Sequence, residues 1–74
     1  MWIFTDSGFI SAVRKTDRPD LLTIRARDEQ SLLSLAQLTN QSVAHSPRGD
    51  YPYRIFVEQE VFAAWVMKAA IDID

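Results

Sequence analysis

The chain contains no cysteine, so neither a disulfide nor a thiolate zinc site can staple it. Its one histidine, His45, has no second ring to share a metal with, and a transition-metal site is not expected. Only two glycines occur, Gly8 and Gly49, which excludes a glycine-rich phosphate loop. Positive charge is not in excess: eight Lys and Arg stand against ten Asp and Glu, a net charge of −2. General attraction to nucleic acid or to an anionic membrane is therefore not expected from the whole molecule. No apolar run approaches the ~20 residues of a membrane span. The opening Met1-Trp2-Ile3-Phe4-Thr5-Asp6 is apolar only briefly and has no basic segment before it, unlike a secretion signal. The expectation is a soluble, cytoplasmic protein with no metal, no cofactor and no membrane partner. In that setting the sequon Asn40-Gln41-Ser42 reads as coincidence.

What is present is enough for a core. Hydrophobic residues make up 47% of the 74 residues, which argues against disorder and for one small domain, 1–74. A chain this short buries only about 60% of its unfolded surface. Good helix–sheet packing or self-association must supply the rest of its stability.

The organising stretch is Leu21-Leu22-Thr23-Ile24-Arg25-Ala26-Arg27. Leu22, Ile24 and Ala26 alternate with Thr23, Arg25 and Arg27, so a strand would place an apolar set and a polar set on opposite faces. Before it, residues 2–5 and 9–15 read as two strands of a hairpin, with Asp6-Ser7-Gly8 as a three-residue loop. In the second strand Phe9, Ser11 and Val13 oppose Ile10, Ala12 and Arg14, and pattern alone leaves the core side open. Thr16-Asp17-Arg18-Pro19-Asp20 is a polar connection into the organising strand.

Asp28 is a good N-cap for a helix over 29–39, with Leu32, Leu35 and Ala36 toward the sheet and Leu33 or Leu38 at its flank. Asn40 suits the left-handed position that ends it. Residues 41–52 form the least regular part, with Val43-Ala44 as a short extended piece and Arg48-Gly49-Asp50 as a turn in a mobile loop. Residues 51–57 read as a fourth strand, beginning at Pro52 or lying at an edge. A second helix over 58–71 carries Val61, Phe62, Trp65, Val66 and Ala69 as a wide apolar stripe. Glu58 and Glu60 near its start and Lys68 near its end suit the helix dipole.

The expected architecture is α+β: a small antiparallel or mixed four-stranded sheet with two helices on one face, in the order βββαβα. Sequence leaves open whether the fourth strand pairs with the first or the third. The uncovered face would expose Thr23, Arg25 and Arg27, joined by Arg54 or Arg14 and by rings from Trp2, Phe4, Tyr51 or Tyr53.

No constellation points to catalysis. Ser46 adjoins His45, and neighbours in sequence do not point at each other; Asp50 is held near neither by anything visible. Asp72 and Asp74 are too few oxygens for a calcium loop. Phe62 and Trp65 at helical spacing are core. The arginine face has a bland reading as a solvated surface that keeps a small domain soluble. It has a sharper one as a binding surface or a dimer interface.

Several pieces resemble a family of short, uncharacterised bacterial and bacteriophage proteins. They are Met1-Trp2-Ile3-Phe4-Thr5, Gly8-Phe9-Ile10-Ser11-Ala12-Val13, Leu22-Thr23-Ile24-Arg25-Ala26-Arg27, Asp50-Tyr51-Pro52-Tyr53-Arg54 and Ile71-Asp72. Members continue past the Ile-Asp pair with Tyr-x-Asn-Phe-Lys; here the chain reads Ile73-Asp74, as if shortened. The resemblance implies no activity. It singles out Arg25, Arg27, Asp50, Tyr51, Tyr53 and Arg54 as the polar part of the shared pattern. Asp50 could pair with Arg25 or Arg27 and fix strand register, or the arginines could stand free for an anionic ligand. The expected function is non-enzymatic binding of another macromolecule, first another protein or a second copy as a homodimer. The alternatives are single-stranded nucleic acid on the arginine and aromatic face, a purely structural or oligomerisation role, and a small hydrolase or ligand-binding fold built at a subunit interface.

Overall fold

The fold is known from a computed structural model, which describes residues 1–5, 8–17, 19–47 and 49–72. The chain forms β1 (Trp2–Thr5), β2 (Gly8–Arg14), β3 (Leu22–Ala26), a 3₁₀ turn (Gln30–Leu32) running into α1 (Leu33–Thr39), β4 (Ala44–His45), β5 (Tyr53–Val57) and α2 (Gln59–Ile71). The class is α+β, as expected. Among the described residues the sheet has five strands, in the order β1-β2-β3-β5-β4, and every neighbouring pair is antiparallel. The additional strand is β4, a two-residue piece where a short extension was anticipated. The strand expected over 51–57 starts at Tyr53 and pairs with β3, not β1. The organising strand thus lies at the centre.

One face of the sheet is apolar for the reason its alternation suggests. Ile10 and Ala12 from β2, Ile24 and Ala26 from β3, and Ile55 and Val57 from β5 are all buried. They form a single cluster with Leu32, Leu35 and Ala36 of the first helical segment and Phe62 and Trp65 of α2. Both helices therefore cover the same face. Burying a side chain such as Ile24 is worth about 1.5–3 kcal/mol. Trp65 also needs a partner for its ring N–H, and its Nε1 donates to Ser34 Oγ at 3.1 Å, tying α2 to α1.

The helix expected over 29–39 with Asp28 as its N-cap divides in two. A 3₁₀ turn starts at Gln30, with Glu29 at the N-cap position, and the α-helix starts only at Leu33, while the Asp28 side chain still takes up a first-turn N–H. Asp28 Oδ1 accepts the Ser31 backbone N–H at 2.9 Å and the Ser31 hydroxyl at 2.5 Å, while the Leu32 N–H donates to the Glu29 carbonyl. These bonds hold the Asp28 carboxyl below its ordinary pKa, the hydroxyl contributing most. Asn40 ends α1 at φ 55°, the left-handed position foreseen for it. Ser31 is pressed against β2 at Gly8, which adopts φ +141°. Gly8 belongs to β2, opposite Thr5, and so is not a loop residue; Asp6 and Ser7 lie outside the described residues, as does Arg48 of the expected Arg48-Gly49-Asp50 turn. Gly49 itself has φ +86°. α2 closes at Ile71, with Lys68 paired to Asp72 at 3.0 Å. Among the described residues, no helix is long and apolar enough to cross a membrane.

Candidate functional site: an arginine and ring face

The face away from the helices is built by the odd and even registers of the same strands. One row runs Trp2–Ser11–Arg25–Arg54–Ala44 across the sheet, and the next runs Val13–Thr23–Phe56. Phe4 stands opposite Phe9 at the β1–β2 end. The rings form a continuous line. Phe4 and Phe9 centroids lie 4.3 Å apart, Phe9 stacks on Trp2 at 5.1 Å, and Trp2 meets Tyr51 at 5.3 Å. That line ends between two guanidinium groups: the Cζ atoms of Arg25 and Arg27 lie 5.5 and 5.4 Å from the Tyr51 centroid. Both are within the range in which a cation is attracted by a ring face.

Tyr51 is not bound by the strand's alternation, because β5 starts only at Tyr53. Pro52 separates the two tyrosines, and they end on opposite faces. Tyr53 packs against the core and stacks on His45 at 4.7 Å. Of the six residues singled out by sequence, Arg25, Arg27, Tyr51 and Arg54 share the face. Tyr53 does not, which corrects its place among the face's rings. Asp50 is exposed and makes no ion pair with either arginine; among the described residues the ion pair is Lys68–Asp72 alone. The register-fixing Asp50 contact is therefore absent. Arg14 also leaves the face: its guanidinium donates to the Pro19 carbonyl and to Gln59 Oε1 on the helix side. His45 lies in β4, not in a loop.

The face is less open than its alternation implied. Thr23, expected to be exposed, is fully buried, because Val13 and Phe56 flank it in register while Arg25 and Arg54 stand beyond. Among the described residues its Oγ1 has no hydrogen-bond partner, and neither do the buried Nε atoms of Arg25 and Arg54. Arg25 Nη2 donates to Ser11 Oγ at 3.2 Å. Arg25 and Arg54 are direct cross-strand neighbours, a placement that brings like charges together and costs stability. What remains most accessible is Arg27 and the rings of Trp2 and Phe4, 55% and 82% exposed.

Ser11 and Phe9 escaped sequence reasoning as members of this site. Their shared side of β2 was visible in the alternation, but only the β2–β3 register places Ser11 beside Arg25. Among the described residues, no group of His, Asp and Glu could hold a metal ion. The groups this face presents are guanidinium donors, cation–ring contacts and stacked rings. No family model, curated protein or solved structure matches the chain.

Proposed function

We propose that this chain is a non-enzymatic binding module that engages another protein through the face centred on Tyr51. The observation that carries this reading is the pair of guanidinium groups flanking one tyrosine, with no carboxylate paired to either among the described residues. A partner that supplies a carboxylate there would gain charge-assisted, bidentate hydrogen bonds. It would also relieve the facing charges of Arg25 and Arg54. Trp, Tyr and Arg around a desolvated centre are the residue types that dominate binding energy at protein interfaces.

A specific observation favours a second reading. The exposed rings of Trp2 and Phe4 beside arginines are also a platform on which unpaired bases could stack. The two readings part under salt and nuclease. The intact chain used as bait should retain a protein that survives nuclease treatment and is lost with the Arg25→Ala/Arg27→Ala variant. Retention that vanishes with nuclease, and affinity for a labelled single-stranded oligonucleotide that falls steeply with log salt, would replace the first reading by the second. Equal retention by both baits would refute any role for this face.

A further inference from the structure

β1 is an edge of the sheet, and its outer side is unusually well suited to another strand. The Met1 nitrogen donates to the Ala12 carbonyl at 2.8 Å, and the Ala12 N–H donates to the Met1 carbonyl at 2.7 Å. Met1 and Ala12 are thus a pair that exchanges both bonds, and in an antiparallel ladder such pairs alternate. Ile3 and Thr5 consequently turn their backbone groups toward β2, while Trp2 and Phe4 turn theirs away from the sheet. The same two residues carry the exposed rings. Natural edges are commonly guarded by charge, proline, a bulge or shortness; Trp2-Ile3-Phe4-Thr5 contains no charged residue and no proline. On the helix side an apolar cleft lined by Met1, Ala12, Leu22, Phe62, Val66 and Met67 opens beside the start of this strand. The opposite edge, β4, is only two residues long.

We propose that β1 pairs antiparallel with β1 of a second copy, about a two-fold axis through Ile3. In that register Trp2 opposes Phe4 of the second copy, and Phe4 opposes its Trp2. Every outward backbone group of both residues is then satisfied, and the two five-stranded sheets become one. Each ring packs beside a ring of the other chain on the same face of the joined sheet. Three features favour a second copy over a foreign strand. The pairing is self-complementary, so one edge serves as both halves. Apart from the Met1 ammonium, which is turned toward β2 and bonded to the Ala12 carbonyl, the edge residues Trp2 to Thr5 carry no charge, so identical edges repel little. The short β4 edge offers little for further addition, so association closes at two chains and does not run on into a fibre. In this dimer both arginine faces look the same way, although the proposal stands on the backbone of β1 and does not depend on what those faces bind.

The test is sedimentation of the full chain over a concentration series, with register-specific crosslinking. The wild type should sediment as a dimer. Phe4→Lys, at a ring that is 82% exposed, should raise the dissociation constant by about tenfold or more, while Arg27→Ala leaves it unchanged. Because the chain has no cysteine, one can be introduced cleanly. Ile3 should face its own copy as a non-hydrogen-bonded pair with Cα atoms about 4.5 Å apart, within disulfide reach. Mild oxidation should therefore link Ile3→Cys into a covalent dimer and leave Phe4→Cys monomeric on a denaturing gel. A wild type that is monomeric throughout, a dimer abolished by Arg27→Ala, or crosslinking at Phe4→Cys but not at Ile3→Cys would each overturn the proposal. The crosslinking arm decides the matter if Phe4→Lys does not fold.

Discussion

Replacing Gly8 by alanine tests how the first helical segment is seated on the sheet. A Cβ at position 8 would lie 2.1 Å from Ser31 Oγ and 3.0 Å from Ser31 Cβ. Ser31 cannot simply swing aside, because it is 2% exposed and its hydroxyl is bonded to Asp28. The backbone adds a second cost, since φ at Gly8 is +141°, a conformation that costs a side-chain-bearing residue about 1–3 kcal/mol. Overpacking of this kind costs about 1–3 kcal/mol more. The sum, about 2–6 kcal/mol, is a large share of the roughly 4–11 kcal/mol expected for a domain of this size. Thermal melting followed by circular dichroism should show a midpoint lowered by at least about 8 °C, or no cooperative transition. Ser31→Gly removes the obstructing atoms, so Gly8→Ala should cost only the backbone share, about 1–3 kcal/mol, in that background. A midpoint for Gly8→Ala within a few degrees of wild type would refute the reasoning, and so would an equal cost in both backgrounds.

Other substitutions probe the caps and the arginine face. Asp28→Ala should cost about 1 kcal/mol near neutral pH through the missing bonds to Ser31. Because the folded carboxyl titrates below its ordinary value, its contribution is present above about pH 4 and is lost as the pH falls through the lowered value; melts at about pH 7 and about pH 3 should show the penalty shrinking in acid, and a constant penalty would contradict the assignment. Thr23→Val keeps the shape of a fully buried side chain and removes a hydroxyl with no partner among the described residues, so it should stabilise by about 1 kcal/mol; a loss in chemical denaturation would show that the hydroxyl is satisfied. Arg54→Thr removes one of two facing guanidinium groups together with a buried Nε that has no partner among the described residues, and should raise stability by about 0.5–1 kcal/mol, with the gain reduced by added salt.

The parts of the fold that are legible in sequence are those decided locally. The alternation of Leu22, Ile24 and Ala26 places β3 in the core, and the spacing of Leu32, Leu35 and Ala36 places the 3₁₀ turn and α1 together over it. Asn40 marks the end of α1, and Phe62 with Trp65 marks the buried side of α2. The misreadings share a different cause, which is pairing between distant segments. A two-residue strand such as β4 has almost no intrinsic signal and exists because β5 lies beside it. Thr23 reads as exposed from its neighbours in sequence, yet Val13 and Phe56 enclose it through register. Tyr51 and Tyr53 have the same parity, so alternation puts them together. The actual start of β5 at Tyr53 frees Tyr51 to meet Arg25 and Arg27. The site is therefore half legible: its arginines are visible in the sequence, but the line of rings leading to them requires the β1–β2–β3 register.

A binding role for this face requires guanidinium groups that are available for contact and do not hold the sheet together, and the melting midpoint of Arg25→Ala measures this directly. The substitution removes one hydrogen bond to Ser11 and one cation–ring interaction with Tyr51, offset by relief of the facing Arg54 charge. The net cost should be no more than about 1 kcal/mol, a fall of at most about 8 °C. A fall of about 12 °C or more, roughly the 3–5 kcal/mol of a broken buried ion pair, would mean that Arg25 is a structural lock and that this face is not built for a partner.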